Sequence, residues 1–175
     1  MINPLIKTAG FTLLEVMVAL IVLAVGLLGM AGLQALGMRY GQSAYLRSQA
    51  TALAYDMADR VRANPAAFVL ATYNTGTAAQ KTACLTTAGC SAADMAVHDL
   101  FEWNTALTNL LPLGRVLPSG EVQGVVCVDS TPSDGTPAAT ACDNTGSTYV
   151  IKLWWDDQRT GSSSTFQRLS VSFQP

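Results

Sequence analysis

The side chains of this chain with chemistry to offer are four cysteines, one histidine, an aspartate pair, a tryptophan pair and one glutamate inside a long apolar run. Cys84 and Cys90 are spaced C-x5-C, and Cys127 and Cys142 C-x14-C, neither of which is the close C-x2-4-C spacing of a zinc site. A single histidine, His98, removes most histidine-based metal and triad chemistry and reads as a surface or packing residue. Asp156-Asp157 follows two tryptophans at a strand end and reads as a solvated turn, so no metal ligand set is expected there. On a strand, Trp154 and Trp155 point to opposite faces, one into the core and one outward. No P-loop, G-x-S-x-G, H-E-x-x-H or EF-hand pattern is present in the sequence. With 10 Lys and Arg and a formal net charge of −2, the chain also lacks the basic excess of a nucleic-acid binder. These residues give no reason to expect an enzyme, a cofactor or a metal.

Glu15 is the anomaly. Half of the 175 residues are hydrophobic and only 13% charged, against about 25% in a typical soluble domain. The excess is concentrated in residues 11–38, where only Thr12, Glu15 and Gln34 are neither apolar nor glycine. At about 1.5 Å per residue, the uninterrupted run 16–33 covers most of a ~30 Å hydrocarbon core. A carboxylate in such a span costs roughly 2.5–3.5 kcal/mol, which marks either a functional site with a partner or a side chain snorkelling to the headgroups. Gly26, Gly29 and Gly32 recur every three residues, a pattern of close helix packing and of local weakness in an isolated helix.

The elements that carry these residues follow from periodicity. Leu46, Ala50, Leu53, Met57 and Val61 form one apolar stripe, with charged residues on other faces, and Pro65 stops the pattern. A continuous helix over 11–63 would be about 80 Å long. Residues 71–93 read as a surface loop, 91–111 as a second helix capped by Ser91 or Asp94 and ended by Pro112, and 122–128, 148–155 and 166–173 as strands. A long Ser/Thr/Pro/Gly/Asp loop, 129–147, separates the first two strands. The expected sheet is antiparallel, with its polar alternates facing water on one side.

The stretch Gly10-Phe11-Thr12-Leu13-Leu14-Glu15-Val16 closely resembles the class III leader of type IV prepilins and type II secretion pseudopilins. The resemblance implies cleavage by a prepilin peptidase between Gly10 and Phe11 and N-methylation of the new Phe11 amine. It also implies that Glu15 reaches the Phe11 amine of a neighbouring subunit and sets assembly register. Asp99-Leu100-Phe101-Glu102-Trp103 with Leu110-Leu111-Pro112, and the strand Tyr149 to Asp156, resemble the type IV pilus modification family, the PilV-type minor pilins. Gly32 stands where many major pilins carry a kinking proline, a departure that suits a minor subunit.

From this resemblance follow an α+β, type IV pilin-like fold, with a long N-terminal helix on a small antiparallel sheet, and three regions. These are a cleaved leader (1–10), a transmembrane or filament-core helix half (11–38), and a periplasmic head (39–175) that includes the second helix half (39–63). The implied protein is a non-enzymatic, single-pass inner-membrane minor pilin that enters a priming or tip complex of a pilus serving adhesion and twitching motility. Its partners would be other minor pilins, the major pilin, the prepilin peptidase and a tip adhesin, with no nucleic acid. The alternative is an I-type pseudopilin of a type II secretion system. Four cysteines allow three pairings; outside the cytoplasm, Cys84–Cys90 with Cys127–Cys142 is favoured because each closes a turn-rich local loop.

Overall fold

The computed structural model describes residues 10–69, 71–114, 116–162 and 165–174. The order is α1 (Leu13–Ala63), α2 (Pro65–Val69), short 3-10 turns at Thr72–Thr75 and Thr82–Leu85, α3 (Ala92–Leu110), β1 (Gly124–Val128), β2 (Tyr149–Asp156) and β3 (Phe166–Phe173). The chain divides into two compact units, residues 1–41 and 42–175.

In the first unit, α1 is helical from Leu13 and passes Gly26, Gly29 and Gly32 without a break. Beyond residue 42 the same helix carries the buried stripe Leu46, Ala50, Leu53, Met57 and Val61. It stops where the sequence demands. Asn64 leaves the helix, Pro65 opens α2 at a position where its missing N–H costs nothing, and the Asn64 side chain accepts from the Ala67 N–H. Ser91 caps α3 by accepting from the Asp94 N–H at 3.1 Å, and its hydroxyl donates back to the Asp94 carboxylate at 2.8 Å.

The sheet is antiparallel in the order β1-β2-β3. Its register pairs Val126 with Ile151 and Val171 with Ile151, so β2 is central. Tyr149, Ile151, Leu153 and Trp155 on one face of β2 join the α1 stripe and Ala96, Leu100, Trp103 and Leu107 of α3 in a single core. The Trp103 indole N–H donates to the Leu53 carbonyl at 2.9 Å and ties α3 to α1. Gly124 makes room for that contact: a Cβ there would lie 2.5 Å from Leu107 and 2.6 Å from Trp103.

The second face of the sheet is not open to water as expected along β2, all eight of whose residues are buried. Lys152 is fully buried and reaches Asp129, Asp134 and the Thr140 carbonyl of the loop 129–147. Arg168 donates to the Ser133 and Gly135 carbonyls of the same loop, and Cys127 is bonded to Cys142 within it. The loop therefore folds over the outer face. Trp155 lies in the helix-side core and Trp154 on the opposite face, but Trp154 is buried as well. The exposed alternates that do occur are on β3, at Arg168 and Ser172.

Candidate assembly site

Gly10 and Phe11 precede the helix outside any regular element, and Phe11 is 85% exposed. Thr12 caps α1. Its hydroxyl oxygen accepts from the Glu15 N–H at 3.3 Å, and its carbonyl accepts from the Glu15 and Val16 N–H groups. Thr12 is a functional residue outside the expected set, although Thr12-Leu13-Leu14-Glu15 is the T-x-x-E signature of a capping box. Glu15 thus stands in the first turn of α1, where a carboxylate is favoured by the unsatisfied N–H groups. Among the described residues, no side chain hydrogen-bonds or ion-pairs with its carboxylate.

Around it the described part of the first unit is bare. Every described residue from Gly10 to Gly41 is exposed in the isolated chain, including Leu13, Leu14, Val16, Met17, Leu20 and Ile21. By length and composition this part of α1 is able to cross a membrane. A Cβ built on Gly26, Gly29 or Gly32 meets nothing within 4 Å, so any close approach these glycines permit is to another molecule. The leader expected over 1–10 lies, apart from Gly10, outside the described residues.

Two comparisons bear on this arrangement. Residues 6–31 match the prokaryotic N-terminal methylation motif, a segment that contains Gly10, Phe11 and Glu15. Residues 32–101 match the family described as type IV pilin Tt1218. The chain is type IV pilin-like. No curated protein and no solved structure gives a match. The architecture agrees with a type IV pilin fold, with a long N-terminal apolar helix packed through its later turns on a three-stranded antiparallel sheet. The type IV pilin family is structural. The strands of this pilin-like chain, and Cys127 and Cys142, fall beyond both matched segments; Cys84 and Cys90 fall within the second.

The remaining candidate residues of the pilin-like chain serve its folded unit. Cys84 is bonded to Cys90, and Cys127 to Cys142. His98 is buried; its Nδ1 accepts from the Lys81 N–H at 3.2 Å and its Nε2 lies 3.4 Å from Glu102. Asp156 is not in a solvated turn but fully buried, accepting from the Gln158 and Gly161 N–H groups and the Thr160 hydroxyl. Burial by itself would push its carboxyl up, but those backbone donors outweigh it and hold the group below the usual range. Asp157 accepts from the Ser43 hydroxyl at 2.6 Å and from the Trp155 indole N–H, so it links the β2–β3 turn to α1.

A cleft of about 480 Å³ lies against the end of α1 and the start of α3, lined by Arg60, Asn64, Met95 and Asp99 among others. The Arg60 guanidinium is committed to Asp56, Asp99 and Glu102 at 2.8–3.1 Å. Its hydrogen bond holds the Glu102 carboxyl below the usual range. Among the described residues, no group of three or more His, Cys, Asp and Glu is arranged to hold a metal ion.

Proposed function

We propose that the chain is a PilV-type minor pilin that enters a priming or tip complex of a type IV pilus. It is cut between Gly10 and Phe11 by a prepilin peptidase, methylated on Phe11, and held in the inner membrane by residues 11–38 with residues 39–175 in the periplasm. It has no enzymatic role. The observation that carries this reading is the Glu15 carboxylate, unpartnered among the described residues, in the first turn of a helix whose apolar surface is exposed throughout residues 13–41. An apolar surface of that length requires lipid or neighbouring helices. A carboxylate within it gains most from a cation supplied by a neighbour, and the new Phe11 amine is such a cation. That contact favours one axial register, as a single polar residue does in a coiled coil. The absence of proline at Gly32 supports a minor rather than a major subunit.

Glu15→Leu tests the reading. The variant should insert and be cleaved, giving an N-terminal methylated Phe11 by mass spectrometry, yet fail to crosslink to the other minor pilins and leave the surface without pili. Wild-type crosslinks and piliation would show that the carboxylate does not direct assembly. A clean deletion scored for surface pili and for secreted exoenzymes separates the pilus from a type II pseudopilus: loss of pili alone is expected.

A further inference from the structure

The two edges of the sheet are treated differently. On β1, the bonds from Trp154 N–H to the Gln123 carbonyl and from Asp129 N–H to the Thr148 carbonyl show that even-numbered residues of β2 aim their backbone groups at β1. Along the β1 edge, the groups that point away from the sheet are occupied at Val128 and, just before the strand, at Val122. The Val128 N–H donates to the Asn74 side chain at 3.0 Å, the Val128 carbonyl accepts from Asn144 N–H, and the Val122 N–H donates to the Pro137 carbonyl. Those loops cover the two ends of that edge; between them, no hydrogen bond is made to the outward groups of Gly124 or Val126 among the described residues.

The same alternation fixes the other edge. Odd-numbered residues of β2 face β3, so Leu169 and Val171 spend their N–H and C=O groups on Leu153 and Ile151. Arg168, Ser170 and Ser172 then turn their backbone groups outward, and among the described residues no hydrogen bond is made to any of those groups. These donors and acceptors recur about every 6.8 Å, two residues of extended chain. The strand runs for eight residues in unbroken register, without a bulge or proline, and its only charged residue is Arg168. Natural proteins ordinarily blunt such an edge, and this one has covered both ends of its other edge.

We infer that the outer edge of β3 is a strand-addition site for an extended segment of another pilin-like subunit, an inference that rests on the assembly role proposed above. The chemistry of the edge specifies the occupant. Only an extended backbone presents partners at two-residue spacing to Arg168, Ser170 and Ser172. Leu169 and Val171, half-buried beside the open edge on the helix side, call for apolar residues at alternate positions of the added strand. Among the described residues the Arg168 guanidinium bonds only to uncharged carbonyls, so an acidic residue near it completes the fit.

Proline at position 170 removes an outward N–H and spares the ladder to β2, a substitution that edge strands accept. Full-length chain is expressed in membranes with each tagged pilin-like subunit encoded beside it, and the co-purified subunit is read by immunoblot. Wild type and Ser170→Ala should retain one such subunit, and Ser170→Pro should lose it at least ten-fold while keeping the wild-type unfolding midpoint. In the wild-type complex, the amides of Arg168, Ser170 and Ser172 should exchange at least 100-fold more slowly than in the chain alone. Those of Leu169 and Val171, already bonded to β2, should change little. This readout stands even if Ser170→Pro fails to fold. A complex that survives a folded Ser170→Pro, protection without the alternation, or pairing only with a second copy of this chain overturns the edge site and leaves pilin assembly intact. A wild-type chain that binds none of these subunits overturns both.

Discussion

The Lys152 ammonium lies 2.5 Å from an Asp129 carboxylate oxygen, and neither side chain touches solvent. Asp134, half-exposed, completes the cluster at 2.6 Å from the same nitrogen. Lys152→Met would leave Asp129 charged and buried without a counterion, a change that costs about 3–5 kcal/mol. Urea unfolding of the full chain in mild detergent, followed by the fluorescence of its three tryptophans, should show that loss. The double variant Asp129→Leu/Lys152→Met should recover most of it, since an apolar pair of similar volume often replaces a buried ion pair without penalty.

The cluster also dictates a pH window. Burial by itself would lower the Lys152 pKa, but the bonds it donates to Asp129 and Asp134 outweigh it and raise the pKa above the ordinary 10.5. The hydrogen bond from Lys152 holds the Asp134 carboxyl below its ordinary 3.8. A depressed carboxyl stabilises the fold above its unfolded pKa and loses that contribution as the pH falls through the folded value; a raised lysine loses its contribution as the pH rises through its own. The stability difference between wild type and Asp134→Asn should therefore be flat over about pH 5–9 and close toward acid. Chemical unfolding across that range measures it.

Tyr73 is buried, and its hydroxyl donates to Asp99 at 2.6 Å while Arg60 holds the other Asp99 oxygen at 3.1 Å. Burial, reinforced by that bond, pushes the Tyr73 hydroxyl well above the ordinary phenol value. Tyr73→Phe should cost about 1.5–3 kcal/mol, the worth of a hydrogen bond to a charged group. In an alkaline absorbance titration, two of the five tyrosines, Tyr73 and the likewise buried Tyr149, should ionise late, and that late step should fall by about half in Tyr73→Phe.

Of the two disulfides, Cys127–Cys142 spans 15 residues and Cys84–Cys90 spans 6. In the chain-entropy picture these closures contribute about 3 and about 2 kcal/mol. Cys127→Ser/Cys142→Ser should therefore be the more destabilising pair, and should also loosen the loop over β2, making the Lys152 amine reactive toward acylating reagents. Non-reducing peptide mapping should return only the two local links.

The helices and strands were legible because each carries a local signal. The α1 stripe repeats at helical spacing up to Asn64-Pro65, Ser91 stands three residues before Asp94, and β3 alternates Leu169, Val171 and Phe173 with polar residues over the bounds observed, Phe166–Phe173. The Thr12 cap was equally local and lay unread in the T-x-x-E spacing. The covering of the outer sheet face was not legible. It depends on Lys152 meeting Asp134 and on Arg168 meeting Ser133, pairs 18 and 35 residues apart with no periodicity to announce them. Asp156-Asp157 looked solvated for the same reason: Asp157 is held by Ser43, 114 residues away.

The composition of the core sets the order in which the chain can become itself. Leu46, Met57 and Val61 are made early, yet they share one cluster with Ile151, Leu153, Trp155 and Phe173, about a hundred residues later. Contacts so distant in sequence form slowly, on millisecond-to-second scales, because a long loop must close before any of them is rewarded. Until β2 and β3 have emerged, the helix has its stripe and no counterpart, and an apolar surface left uncovered is prone to aggregate. The nascent protein therefore runs a race between aggregation through that stripe and arrival of its own last strand.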